Sequence, residues 1–210
     1  MIEQGKRGGM KAAYQIAYRK ACQRIGAADL DALCEHSGAI RNGTTLRISF
    51  FGARVQIRIA GGGEEPEFEP EQLPLVEKIL ILHYLLGRER TAAKTAMVAF
   101  KNLPGASFYD PTYQKRGPRR IARRFGRSIE AFQRACRNLG WQEDEIGDAS
   151  YHFDIFPKIK GLVVLHTEDE EFAAEANILF SGEIVNFLPL EDVAVLAGLI
   201  ATRLARATTT

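Results

Sequence analysis

The sequence predicts an α+β fold: an antiparallel sheet built from two hairpins, a central buried helix and several further packed helices. Three observations lead to this prediction. Alternating apolar and polar residues mark two pairs of neighbouring strands, each pair joined by a short turn. One helical segment is apolar on nearly every face, which is typical of a helix inside a core. Helices and strands also follow one another in blocks, which favours antiparallel pairing over βαβ winding.

The central helix is predicted at residues 73–86, LPLVEKILILHYLL. Pro74 suits the first helical turn, where its missing N–H group loses no hydrogen bond. Leucines, isoleucines and a valine form a stripe at helical spacing and widen it until little polar surface remains. The segment is too short, and too interrupted by Glu77, Lys78 and His83, to span a membrane. We therefore expect a buried helix and no membrane association.

Other helices are predicted from apolar residues three and four positions apart. Residues 10–25 form an amphipathic helix, and Asp29 can cap a short helix that follows. Further helices are expected at residues 118–125, at 129–139 and from Pro189 to the C-terminal region. Each has one apolar face, so we expect each to pack against the sheet or against the central helix.

Alternation of apolar and polar residues predicts four strands, at residues 45–51, 53–60, 150–156 and 161–166. The first two meet near Gly52, which suits a hairpin turn or a sharp bend. The last two are separated by residues 157–160, a length that favours an antiparallel hairpin. Residues 91–100 give a mixed signal between a short helix and a strand.

Length and composition predict one α+β domain over residues 10–206, between a flexible N-terminus at 1–9 and a frayed tail at 207–210. The apolar fraction of 46% and the charged fraction of 26% are ordinary for a globular protein. We find no internal repeat and no low-complexity segment. A chain of this length buries enough surface to fold without disulfides or structural metals.

The cysteines and the N-terminus favour a cytoplasmic protein. Cys22, Cys34 and Cys136 are far apart and form no CxxC motif, which excludes a cysteine zinc pattern, an iron–sulfur pattern and a disulfide framework. Buried, reduced thiols are therefore expected. The first residues lack the apolar region of a secretory signal.

Four stretches occur in one order along the chain: EKILILHYLLG (77–87), FKNLPGASFYDPTY (100–113), GDASYHFDIFP (147–157), and DEEFAAEANILF followed by FLPLED (169–180 and 187–192). Together they resemble an uncharacterised prokaryotic family, the domain of unknown function DUF3786, which is common in anaerobes. The resemblance covers about residues 10–205. Some members look like fusions to a small iron–sulfur module. This chain has no cysteine cluster, so the resemblance implies the stand-alone form, and it implies no activity or cofactor.

The most distinctive charge feature is the basic segment, residues 115–127. The formal net charge is +2, but seven of the 28 Lys and Arg residues lie in this segment with no acidic residue. The rest of the chain thus has 21 basic against 26 acidic residues. Arg119 and Arg123, like Arg120 and Arg124, are four apart, and like charges at this spacing oppose helix formation by roughly 0.2–0.5 kcal/mol per pair. A bound anion would relieve this repulsion, as would acidic groups of the same protein or of a second copy.

We predict that an anionic small molecule or cofactor binds between the 103–113 loop, the basic helix and an acidic turn at 169–172. Arginines would hold the charge, and tyrosines beside Phe108 would stack on a ring. The candidate residues are Tyr109, Tyr113, Arg116, Arg120, Arg123, Asp169 and Glu170. A nucleic-acid partner is disfavoured, because domains that bind nucleic acids usually carry a strongly basic net charge.

Two other functions stay open at this point. The first is an enzyme in which His166, Asp169 and Glu170 perform acid–base or metal chemistry, with Phe172 anchoring the turn in the core. The second is an interaction module, or a homo-oligomer, that docks through the basic face.

A metal site is not expected, because the four histidines show no HxxxH or HxH spacing. His152 and His166, on the two strands of one predicted hairpin, could nevertheless approach each other.

Overall fold

The α+β fold is confirmed by a computed structural model, which describes residues 2–60, 64–87 and 96–208, with side chains from residue 12 onward. The helices are α1 (Ile2–Gly26), α2 (Leu30–Ser37), α3 (Leu75–Leu86), α4 (Asp110–Arg116), α5 (Pro118–Phe125), α6 (Ile129–Asn138), α7 (Ile184–Phe187) and α8 (Leu190–Ala207). The strands are β1 (Ile40–Asn42), β2 (Thr45–Phe50), β3 (Ala53–Arg58), β4 (Glu67–Glu69), β5 (Met97–Ala99), β6 (Gln142–Asp144), β7 (Ala149–Phe156), β8 (Ile159–His166) and β9 (Glu175–Ser181).

Contacts divide the chain into two compact units, each with one sheet. The first unit is formed by Met1–Arg90 with the short segments Phe156–Lys158 and Asn186–Leu188. The second is formed by Thr91–Ile155, Ile159–Val185 and Pro189–Thr210. The domain limits expected from the sequence, with a flexible start at 1–9 and a frayed tail at 207–210, stay a prediction. Residues 1, 209 and 210 lie outside the described part of the chain.

The sheet of the first unit is an antiparallel meander in the order β1-β2-β3-β4. The predicted hairpin at its centre is confirmed, with Phe50 opposite Ala53 and Ile48 opposite Val55. Phe51 and Gly52 form the two-residue turn, and both have positive φ, at 50° and 77°. Positive φ at both central residues is what a type I′ hairpin turn requires. Apolar residues of β2 and β3 are buried on one face, as their alternation predicts.

The core of the first unit is centred on α3, whose burial is confirmed. Its residues from Ile79 to Leu82, with Tyr84 and Leu85, are buried. The ring of Tyr84 stacks on Phe156 at 4.1 Å and on Phe187 at 4.8 Å between ring centroids. These two phenylalanines belong to the short segments that join this unit from later in the chain. The aromatic stack therefore connects three parts of the sequence within one core.

The sheet of the second unit has the order β5-β9-β8-β7-β6. The predicted hairpin of β7 and β8 is confirmed, but the expectation of one sheet containing both hairpins is wrong. The strands β2 and β3 pair with β1 and β4, whereas β7 and β8 are neighbours of β6 and β9. The sequence did not indicate β6, and only residues 97–99 of the mixed segment form a strand; residues 91–95 lie outside the described chain.

The C-terminal helix α8 supplies a large share of the second unit's core. Its buried residues include Val193, Leu196, Ile200 and Leu204, which lie at helical spacing on its apolar face. Contacts within this unit join α8 to α4, α5 and α6. None of the helices in the described ranges is both long enough and apolar enough to cross a membrane.

The hydroxyl of Tyr84 gives a test of the first core. It donates a 2.6 Å hydrogen bond to the buried carbonyl of Ser37 and accepts one at 3.3 Å from the N–H group of Lys158. Tyr84→Phe should lower the free energy of unfolding by about 1–3 kcal/mol, because it leaves a buried carbonyl without its donor. Urea denaturation followed by circular dichroism measures this change. The control Tyr109→Phe removes an exposed hydroxyl, and equal midpoints for the two variants would contradict the account.

Candidate functional site

The basic segment is held by α4 and α5, which follow each other with only Gly117 between them. Gly117 lies against α8, where a Cβ atom would be 2.7 Å from that of Ala197. At the other end of α5, a Cβ on Gly126 would overlap the side chain of Ala174. Ile121 and Phe125 bury the inner face of α5. The cations of α5 are therefore directed along the sides and the outer surface of this helix.

Arg120, one of the predicted ligand-binding residues, connects helices of the second unit. Its guanidinium group donates hydrogen bonds of 3.2 Å to the carbonyls of Arg116 and Gly198 and of 3.1 Å to the hydroxyl of Thr202. Gly198 and Thr202 belong to α8, so Arg120 ties α5 to α8. Three hydrogen bonds of this half-buried guanidinium group are thus made within the protein.

Two further arginines of the segment also have partners. Arg124 donates to the hydroxyl of Thr208 at 3.2 Å and lies over the ring of Phe125. Arg127 forms an ion pair with Glu168 at 2.6 Å, and the N–H group of Glu168 donates to the carbonyl of Gly126. Neutralisation by the protein's own acidic residues, one of the sequence-based alternatives, thus applies to Arg127.

Four cations remain, and we call them the basic patch: Lys115, Arg116, Arg119 and Arg123. Within the described ranges their side chains form no hydrogen bond or ion pair. Arg119 and Arg123 are exposed and four positions apart, so they share one row of α5. Arg116 is half-buried and Lys115 is exposed in the last turn of α4. This patch is the part of the basic segment that can accept an anion.

The aromatic residues predicted to stack on a ligand differ sharply in exposure. Tyr113 is 2% exposed, its hydroxyl donates to the carbonyl of Ile178 at 2.6 Å, and its ring stacks on Phe100 at 4.1 Å. Burial raises the pKa of this phenol. Tyr113 is therefore a core residue and offers no ring face to a ligand. Tyr109 is 39% exposed and Phe108 is 91% exposed, so these two rings are accessible.

The predicted acidic turn is closed by its own hydrogen bonds. The carboxylate of Asp169 accepts the N–H groups of Glu171 at 2.8 Å and Phe172 at 2.7 Å. Glu170 is exposed and makes no side-chain contact with the described residues. The expectation that Phe172 anchors the turn in the core is wrong, because its side chain is 68% exposed. The turn is fixed by its backbone instead.

The segment leading into this turn is held by Asp148. Its carboxylate accepts hydrogen bonds of 2.7 Å from both the N–H group and the hydroxyl of Thr167. These bonds hold the pKa of Asp148 below its usual value, because they stabilise the charged form. Sequence reasoning missed Asp148, and it also missed Gly117 and Thr202. No local pattern marks these residues, since their partners lie in other elements.

The histidines are engaged at separate places. His152 hydrogen-bonds through Nε2 to Gln142 at 2.8 Å, and its Nδ1 lies 3.8 Å from the carboxylate of Asp144. His166 lies beside Gly147, where a Cβ atom would be 3.0 Å from the imidazole ring. Within the ranges that the structure describes, no group of three or more His, Cys, Asp or Glu residues is arranged to hold a metal ion.

The fold and the site define an α+β protein with an exposed, unpaired basic patch. The chain belongs to the family described as "Domain of unknown function (DUF3786)", whose sequence profile matches residues 29–203. The resemblance seen in the sequence is thus confirmed. No curated protein and no solved structure matches the chain. The family supplies no activity, so the function must be argued from the chemistry of the side chains.

Substitutions of Arg120 and Arg123 test which cations of α5 stabilise the fold and which have no partner in it. Arg120→Gln should lower the free energy of unfolding by about 1–2 kcal/mol, because it removes charge-assisted bonds between α5 and α8. Arg123→Gln should change it by less than about 0.5 kcal/mol, as is usual for an exposed side chain without partners. Urea denaturation of both variants tests this. Equal effects would show that Arg120 is not a structural residue.

The lowered pKa of Asp148 predicts that the stability of the protein depends on pH. Because its pKa is lower in the folded than in the unfolded protein, its contribution is fully present above about pH 4 and is lost as pH falls through the folded pKa. Asp148→Asn should therefore lower the urea midpoint at pH 7, and this difference from the wild type should shrink towards pH 3. Asp154→Asn, which removes an exposed carboxylate from β7, is the control. A difference for Asp148→Asn that stays constant with pH would contradict the assignment.

Proposed function

We propose that the protein binds an anionic small molecule or cofactor through the basic patch. The observation that carries this proposal is the pair Arg119 and Arg123, two exposed guanidinium groups on one row of α5 with no acidic partner among the described residues. Like charges at this spacing oppose the helix, and an oxyanion that accepts hydrogen bonds from both would relieve the repulsion. Arg116, half-buried at the end of α4, is the third candidate donor.

The proposed ligand carries a flat ring as well as negative charge. Phe108 and Tyr109 immediately precede α4, and both expose aromatic surface. Aromatic side chains next to arginines suit nucleotides and other ring-bearing anions, because stacking adds to the charge interaction. Arg120 and Tyr113 are not included in this proposal, since Arg120 is hydrogen-bonded to α8 and Tyr113 is buried in the core.

The enzyme alternative has less support from the geometry. The carboxylate of Asp169 already accepts two backbone N–H groups. The carboxylate near His166 is that of Asp148, and it already accepts the N–H group and the hydroxyl of Thr167. Glu170 alone remains exposed and without a partner in the described chain. A single free glutamate does not define a reaction.

The interaction-module alternative is favoured by one observation. Phe108 is a large apolar side chain that is 91% exposed, and exposed aromatic surface beside charged residues is common at protein interfaces. An acidic partner protein or a second copy of this chain would then cover the patch. Small-molecule binding and the interaction module thus differ in the size of the partner, and an experiment can distinguish them.

A cytoplasmic location in an anaerobic prokaryote is the remaining part of this proposal. Support comes from the cysteines: all three are free, with Cys22 and Cys136 buried and Cys34 half-buried. Burial raises the pKa of all three thiols, so they are poor nucleophiles and poor metal ligands in this fold.

The proposal is tested by thermal unfolding against nucleotides, phosphorylated metabolites, tetrapyrroles, divalent metals and short oligonucleotides. A ligand at about 100 times its Kd adds about 2.7 kcal/mol of stability. For a chain of this size the melting temperature should then rise by about 5–11 °C. Arg119→Gln/Arg123→Gln should abolish the shift. The control Arg134→Gln/Arg206→Gln removes the same charge from exposed sites on α6 and α8 and should retain it.

Two results would overturn the proposal. The first is a ligand shift that survives in Arg119→Gln/Arg123→Gln. The second is a panel without any shift, combined with self-association that this double variant and high salt both abolish. That second result would establish the interaction module, because exposed ion pairs weaken as salt shortens the Debye length.

A further inference from the structure

We propose that the first unit carries a separate binding site for a phosphate monoester, in a pocket on its four-stranded sheet. The pocket has a volume of about 380 Å³. Its polar lining comes from Arg47, Ser49 and Arg54, and its apolar lining includes Ile40 and Pro157. No acidic residue lines it. The lining residues belong to the first unit, so the site does not depend on the basic patch of the second.

Strand register brings the two arginines together. In the β2–β3 hairpin Arg47 faces Gln56, and Ser49 faces Arg54. Arg47 and Arg54 are therefore diagonal neighbours on the same face of the sheet, roughly 7–8 Å apart at the backbone. Side chains as long as arginine can both reach one small anion placed between them. The hydroxyl of Ser49 lies on the same face and adds a donor.

The other two arginines of this sheet are paired with carboxylates. Arg41 forms an ion pair with Asp31 at 2.7 Å, and Arg58 pairs with Glu67 on β4. Arg47 and Arg54, in contrast, form no ion pair and no hydrogen bond through their side chains in the described chain. The two arginines without a carboxylate are the same two that line the pocket. Two like charges at diagonal positions repel each other unless an anion joins them.

The environment of Arg47 also supports an anion in the pocket. Its Nε–H group is shielded from solvent and has no hydrogen-bond acceptor among the described residues. Buried donors without acceptors are rare in native proteins, because their loss of water is not compensated. An oxyanion in the pocket would supply the missing acceptor. The shielding of this group from solvent thus adds to the missing charge partner of Arg47.

The chemistry of the lining selects the class of ligand. Two guanidinium groups match a doubly charged phosphate, which accepts paired hydrogen bonds from each of them. Ile40, whose side chain is 62% exposed, lies with Ile48 and Pro157 on the pocket wall and offers apolar surface. The volume lies in the range of small-molecule pockets and exceeds what bare phosphate needs. A phosphate monoester with an apolar group fits both the two arginines and the apolar wall of the pocket.

The test uses the full-length protein in phosphate-free buffer, with phenyl phosphate as the probe in isothermal titration calorimetry. The parent is Arg119→Gln/Arg123→Gln, so that any binding at the basic patch is already removed. Arg47→Gln and Arg54→Gln should each weaken the affinity of this parent for phenyl phosphate by about tenfold or more. Arg58→Gln, on the same face of β3 but paired with Glu67, should change it by less than about twofold.

Benzoate serves as the second probe, because it keeps the ring and replaces the phosphate dianion by a single carboxylate. It should bind more weakly than phenyl phosphate to the parent, and Arg47→Gln and Arg54→Gln should narrow this difference. Without ligand, Arg54→Gln should not lower the melting temperature, since it removes a repulsive neighbour from an exposed position. A purely structural role for Arg54 would lower it.

The inference is overturned if the parent does not bind phenyl phosphate at millimolar concentration. It is also overturned if Arg54→Gln binds as the parent does, and this exposed variant keeps the test valid even if Arg47→Gln does not fold. Both outcomes are independent of the basic patch. The two failures are distinguishable. The proposed function is tested by thermal unfolding of the wild-type protein, whereas this inference is tested by calorimetry on Arg119→Gln/Arg123→Gln, which already lacks the two patch arginines.

Discussion

The core of the first unit depends on one tyrosine of the apolar helix α3, whose hydroxyl group finds hydrogen-bond partners in the interior. Tyr84 lies on the buried helix α3, with Phe156 and Phe187 stacked on its ring and its hydroxyl between Ser37 and Lys158. Stacked aromatic pairs contribute about 0.5–1.5 kcal/mol each beyond the area they bury. This one side chain therefore joins α2, α3 and the two short late segments of the first unit.

The stack of Tyr84 and Phe187 brings the backbone at the end of α3 close to the segment that contains Phe187. Gly87 ends α3 directly beside Phe187, where a Cβ atom would be 2.5 Å from the Cα atom of that residue. Any larger side chain would push away the segment that supplies one of the stacked rings. The stop signal that glycine gives in the sequence is thus also a packing requirement, although its φ of −60° is open to all residues.

The basic segment shows how a protein accommodates a run of like charges. Arg120 donates to a carbonyl and a hydroxyl of α8, Arg124 donates to a hydroxyl, and Arg127 pairs with a carboxylate. Arg119 and Arg123 remain in solvent. Since three of the seven cations already have partners within the protein, charge density in a sequence overestimates the number of cations available to a ligand. The same reasoning, applied to the sheet of the first unit, distinguishes Arg47 and Arg54 from their paired neighbours.

Membership of the DUF3786 family and the α+β fold describe what the chain is, and neither carries a chemical activity. Both proposals therefore rest on donors without acceptors, one pair on a helix and one pair on a sheet. The helix pair is exposed and open to partners of any size. The sheet pair lines a pocket of about 380 Å³, a volume that suits the small molecule we propose.

The sequence by itself determined the elements whose pattern is local. The hairpin of β2 and β3 followed from alternation around Gly52, and burial of α3 followed from its continuous apolar surface, because both patterns are set by residues a few positions apart. The register of that hairpin in the structure then places Arg47, Ser49 and Arg54 on one polar face. Only the tertiary structure decided that Tyr113 is buried and Tyr109 exposed, and that Arg120 is engaged while Arg123 is free. The partners that decide these cases, from Ile178 to Thr202, lie far along the chain, and no local pattern encodes which distant residue will face a given side chain.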